Sequence, residues 1–200
     1  NDLYGAQTGL RYAAAAAVGA NRIHDNDTGV VATVADAASA LGFVGGAEPN
    51  QIYSNTFGVD LAGRMQDQHV FANAIHGVIG SGILGGDDLD HANVIETNET
   101  GVSGFSGPVQ FNRIARNAYG IIATDGQLIT RNLIYRNTRV GVYTAGGVDV
   151  VGNTIYAPEG DAIAVYGTGV EVRNNILWAE QGVDIFVDPW SETDFASDEN

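Results

Sequence analysis

Two neighbouring stretches of the chain gather the side chains best suited to chemistry. The first holds Asp60, Arg64, Asp67 and His69; the second holds Asp87, Asp88, Asp90 and His91. Asp67 and Asp87 each stand six residues before an Asn-x-Ile triplet, at Asn73 and Asn93. Arg64 and Asp88 each stand six residues after a glycine, Gly58 and Gly82. If these triplets and glycines mark equivalent points of a repeat, the carboxylates of Asp67 and Asp87 lie on adjacent rungs with an arginine alongside. Carboxylates that close either share a proton or hold a hard cation such as calcium. The expected metal ligands are Asp67, Asp87 and Asp88. The competing reading is that solvated loop carboxylates fall into register by chance in a chain with 24 acidic residues.

The elements that must position these groups are read from self-similarity. Asn-x-Ile or Asn-x-Leu begins at Asn1, Asn21, Asn50, Asn73, Asn93, Asn112, Asn132, Asn153 and Asn174, in steps of 20, 29, 23, 20, 19, 20, 21 and 21 residues. A second marker follows at Gly9, Gly29, Gly58, Gly82, Gly101, Gly120, Gly141 and Gly182, with Ala162 in the remaining unit. Helical repeats need roughly 33 residues and propeller blades roughly 40. A unit near 20 residues holds three short strands and three turns, which predicts a right-handed parallel β-helix of nine coils over residues 1–187. Alternation along each strand predicts an inward aliphatic ladder of Leu10, Val30, Val59, Ile83, Val102, Ile121, Val142, Ile163 and Val183. Corner asparagines tolerate left-handed or bridging geometry. Together with a second set at Asn26, Asn55, Asn98, Asn117 and Asn137 they are expected to stack as amide ladders.

This repeat resembles the pectate lyase-like superfamily of parallel β-helices, which includes polysaccharide lyases and alginate C-5-epimerase-like proteins. The resemblance spans nearly the whole chain and lies in the scaffold. It implies a carbohydrate-active protein acting on an acidic polysaccharide, with calcium on groove carboxylates bridging a uronate and an arginine or lysine removing the proton at C5. The chain has no lysine, so Arg64 would be that base, with Asp60 and His69 as further catalytic candidates. Asp90-His91 is similar to the Asp-His pair of pectate lyases but lacks the preceding tryptophan and isoleucine, and Asp67-Gln68-His69 only loosely resembles the Asp-Pro-His segment of alginate epimerases. The alternatives are a non-catalytic module for glycan binding, adhesion or spacing, and a glycoside hydrolase of the same architecture, which needs paired carboxylates across a groove.

The remaining features bound these readings. A net charge of −15, with nine arginines as the only basic residues besides histidine, excludes a nucleic-acid or anionic-membrane surface. It also repels a polyanion unless a cation bridges the two. No run of 18 apolar residues exists to span a membrane, and the absence of cysteine removes disulfides and thiolate metal sites. An extracellular or cell-surface location and a monomer within a larger polypeptide are expected. Outward residues on the strand after the marker glycine include Tyr143, and the next outward row includes Phe105, Tyr166 and Phe186, offering rings for sugars to stack on. Arg116 and Arg136 share a repeat position and are expected to stack, either as an anion site or as partners for Glu96 and Glu99. The insertion 35–47 in the 29-residue coil reads as a short helix, and residues 188–200 as a tail that caps the last coil.

Overall fold

A computed structural model describes residues 1–13, 18–33, 40–41 and 48–200. The chain winds as a parallel β-helix of nine coils. One sheet has nine strands of three or four residues, one from each coil, each following a corner. The second sheet has 15 strands and covers the other two faces. Its two limbs are continuous because Phe57–Met65 and His76–Leu84 run unbroken for nine residues where other coils bend. Coil seven shows the ordinary plan in Leu133–Tyr135, Val140–Thr144 and Val148–Val151.

The buried core is a column of aliphatic ladders. Along the first sheet Leu3, Ile23, Ile52, Val70, Ile95, Ile114, Ile134, Ile155 and Leu177 stand in register. The second sheet stacks Leu10, Val30, Val59, Val78, Val102, Ile121, Val142, Ile163 and Ile185. Val78 and Ile185 therefore occupy the places expected for Ile83 and Val183. β-Branched residues suit these short strands, since their stiff χ1 packs well against the rung above and below.

The corners explain the displacement. In the first amide ladder Asn1, Asn21 and Asn50 lead to Gln68, not Asn73. Beyond Gln68 the ladder continues through Asn93, Asn112, Asn132, Asn153, Asn175 and Asn200. Asn73 lies on the other corner, between Asn55 and Asn98 in the second ladder, which runs from Asn26 to Asn137. Counting from Asn73 therefore misplaced the whole fourth coil: its marker glycine is Gly77, in line with Gly58 and Gly101. The left-handed backbone falls not on the ladder asparagine but on the residue before it, as at Asp25, Ser54, Asp67, Arg116, Arg131 and Arg136, with φ between 54° and 56°. Asn174 holds that position (φ 56°), and Asn175 turns inward.

The marker glycines serve the second ladder. A Cβ on Gly29 would lie 2.8 Å from the Asn55 amide nitrogen, and one on Gly120 2.8 Å from that of Asn137. Gly141 already faces a coil without a ladder asparagine, and Ala162 replaces the marker glycine one coil later. The expected helix at 35–47 lies outside the described residues, apart from Ala40–Leu41, which pair in parallel with Arg64 and Met65. Within the tail 188–200, Ala196–Asp198 forms the third strand of coil nine, paired with Glu171–Arg173.

Candidate functional site

The candidate metal ligands pair differently once the fourth coil is in its true register. Arg64 pairs with Ile83 across the sheet, and its guanidinium reaches the Asp87 carboxylate at 2.8 Å. Asp67 sits on a left-handed corner, where one oxygen meets His91 Nδ1 at 3.2 Å and the other accepts from Gln66 Nε2 at 3.2 Å. Asp88 caps the short 3-10 turn Leu89–His91 and accepts from the amides of Asp90 and His91. Asp67 and Asp87 are thus not rung neighbours, and the pair inferred from the Asn73 count is corrected: each carboxylate already has a cationic or amide partner of its own. Among the described residues no group of three His, Cys, Asp or Glu side chains converges.

The catalytic candidates divide between the two sheets. Asp60 and Arg64 face outward from Phe57–Met65 on the second sheet, four residues apart, and Asp60 is exposed. His69 stands on the first sheet, where Nε2 lies 3.0 Å from Glu96 Oε1. Arg116 closes on the other oxygen of Glu96, so the half-buried carboxylate is clamped between two bases.

Of the ring candidates, Tyr143 and Tyr166 stack at 4.9 Å with an 18° interplanar angle, and Phe186 extends the row at 5.6 Å. Phe105, expected outside, is fully buried in the core. The cause is a bulge: the register shifts between Val102 and Phe105, and Gly104 takes φ 55°. One inserted residue reverses the alternation and turns the ring inward.

A longer ring row lies on the outer face of the first sheet, at the third residue after each corner amide. Its members in register are Tyr4, His24, Tyr53, Phe71, Glu96, Ala115, Tyr135, Tyr156 and Trp178. The signal for this row in the sequence is the three-residue offset from each corner amide. Through coils one to four the rings stack on one another at 4.9 to 5.4 Å with interplanar angles of 10° to 15°. Their facing sides cover one another, while Tyr4 at the near end stays 66% exposed. His24 is gripped there by Asp25 at 2.6 Å and Asp2 at 2.8 Å, and these hydrogen bonds hold its pKa above the usual 6.5. The far end is open as well. Trp178 is 62% exposed and tilted 46° from Tyr156 at 5.1 Å, so its ring face is open. The Tyr156 hydroxyl donates to Glu180 at 2.8 Å, which raises the phenol pKa.

Comparison of the chain with models of known protein families, with curated proteins and with solved structures gave no match.

Proposed function

We propose that the chain is a carbohydrate-binding β-helix module that docks a polysaccharide along the outer face of the first sheet at coils seven to nine. The observation that carries this reading is the open ring face of Trp178 beside Tyr156 and Tyr135. Aromatic rings offer apolar area to the C–H faces of sugars at little entropic expense, because two χ angles fix them. Rungs roughly 4.8 Å apart set successive rings at a spacing comparable with one pyranose unit. A solenoid wall is rigid, so little ordering accompanies binding. The Tyr143–Tyr166–Phe186 row provides a second, smaller platform on the neighbouring face. A binding module is favoured over calcium-assisted β-elimination because elimination requires Asp67, Asp87 and Asp88 to leave their separate partners, and requires Arg64 to act as a base while paired with Asp87.

The test is affinity electrophoresis of the purified chain through gels containing neutral or uronate polysaccharides. Trp178→Ala is expected to weaken retardation about tenfold, equivalent to about 1.4 kcal/mol, with Tyr166→Ala affecting it less. Equal retardation of Trp178→Ala and the parent chain, or none for either, refutes the reading. Release of unsaturated uronate product, abolished by Arg64→Ala, would replace it with a lyase.

A further inference from the structure

Five of the nine arginines, Arg113, Arg116, Arg131, Arg136 and Arg139, fall within coils six and seven, concentrating positive charge in an otherwise acidic chain. Their partners are unequal. Arg116 binds Glu96, and Arg139 lies 3.6 Å from Glu99 and over the ring of Tyr119. Among the described residues the other arginine–carboxylate pairs are Arg64–Asp87 and Arg173–Glu171. Among the described residues no carboxylate pairs with Arg113 or Arg136, both of which are exposed.

The repeat shows what Arg136 lacks. Ala115 and Tyr135 pair in register, so Arg116 and Arg136, each the next residue, occupy the same corner one rung apart. Both take left-handed backbone, with φ of 56° and 55°. Arg116 reaches back one coil to Glu96. Glu96 pairs in register with Ala115. The residue that stands to Arg136 as Glu96 stands to Arg116 is therefore Ala115, a methyl group where the preceding rung has a carboxylate.

We infer that Arg136, supported by Arg113 on the same face, is the subsite for a carboxylate of an acidic polysaccharide, which meets the two exposed guanidinium groups above the buried Ala115. This deepens the carbohydrate-binding reading and rests on it. Tyr135 pairs in register with Tyr156, and the Arg136 amide donates to Tyr156 O at 2.9 Å, which sets the subsite beside the Tyr156–Trp178 rings. A guanidinium suits the task because its fork matches a carboxylate in two parallel hydrogen bonds. Glu180 is the nearby carboxylate that an acidic ligand must avoid, and it is held on the Tyr156 hydroxyl on the side away from Ala115. Local positive charge also resolves the conflict between a chain of net charge −15 and a polyanionic ligand, with no bridging metal.

The experiment measures retention on polygalacturonate against retention on a neutral galactan, at low and high salt. The parent chain is expected to prefer polygalacturonate at least fivefold, and salt should erase the preference. Arg136→Gln should remove the preference and leave galactan binding unchanged; Arg139→Gln should change neither. Ala115→Glu should do the same as Arg136→Gln by supplying the carboxylate internally, and where it disturbs packing the glutamine variant decides. An unchanged ratio in Arg136→Gln, or a parent chain that binds only galactan, overturns the subsite while the ring-based reading stands. A Trp178→Ala chain that keeps all binding to both polymers overturns that reading instead.

Discussion

Replacing Asn132 with Asp probes the first amide ladder without changing side-chain shape. Asn132 is 2% exposed. Its Nδ2 donates to Val109 O at 2.8 Å, Thr130 O at 3.1 Å and Asn153 Oδ1 at 3.0 Å, while its Oδ1 accepts from the Asn112 backbone and side-chain amides at 2.9 and 3.1 Å. Aspartate keeps the acceptor role and turns the donated bonds into oxygen–oxygen repulsion. Thr130 O retains the Phe111 amide and Asn153 Oδ1 retains the Asn132 amide, so the loss is partial at two of the three acceptors. Each buried polar group stripped of its partner costs about 1–3 kcal/mol, which gives about 3 kcal/mol before ionisation. Burial also raises the carboxyl pKa above its unfolded value of about 3.9. Between the two values the folded chain binds a proton that the unfolded chain does not, so stability falls as pH rises through that window. The penalty relative to the parent chain should therefore be larger at pH 7 than at pH 4, where the protonated acid restores one donor. Urea unfolding followed by circular dichroism at both pH values measures it, with exposed Arg139→Gln as the neutral control. A penalty below about 1 kcal/mol at pH 7, or one identical at both pH values, would refute the ladder argument.

Three further outcomes are expected. Gly120→Ala places a Cβ 2.4 Å from Gly141 O and 2.8 Å from Asn137 Nδ2, and strain of this kind typically lowers stability by about 1–3 kcal/mol; an unchanged urea midpoint would contradict it. Phe105→Ala should destabilise by about 3–5 kcal/mol as a buried aromatic truncation, whereas exposed Tyr166→Ala should stay within about 1 kcal/mol, and reversal of that order would return Phe105 to the surface. His24 should titrate above 6.5 by NMR, and its contribution should be present at low pH and fade as pH rises through its folded pKa; identical pH–stability curves for the parent and His24→Gln would exclude this.

The fold was legible because coils five to eight repeat one triplet without exception, at Asn93, Asn112, Asn132 and Asn153. It was misread where chemistry substitutes for identity. Gln68-His69-Val70 makes the same corner with a longer amide and a smaller apolar residue, while Asn73-Ala74-Ile75 mimics the triplet on the other corner. At coil nine, Asn174-Asn175-Ile176 offers two alignments, and only the inward side chain separates them. The site suffered most, because a five-residue misplacement of one coil makes rung neighbours of Asp67 and Asp87 and hides the Arg64–Asp87 and Asp67–His91 pairs. Phe105 was lost to a single bulge, which no alternation pattern announces.

The glycine and asparagine of the second ladder belong to different coils: the gap left by Gly29 is filled by Asn55, and that left by Gly120 by Asn137. A coil excised from one corner to the next is consequently not a transferable unit, since it carries the socket for its successor and the plug for its predecessor. A tandem duplication survives only where socket and plug recur at both new junctions, as they do throughout coils two to six. After coil seven the plug is absent and Ala162 replaces the socket residue. Lengthening of such a chain is therefore permitted in its middle and resisted toward coil eight, so insertions and deletions among its descendants should concentrate in whole multiples of a coil between Asn26 and Asn137.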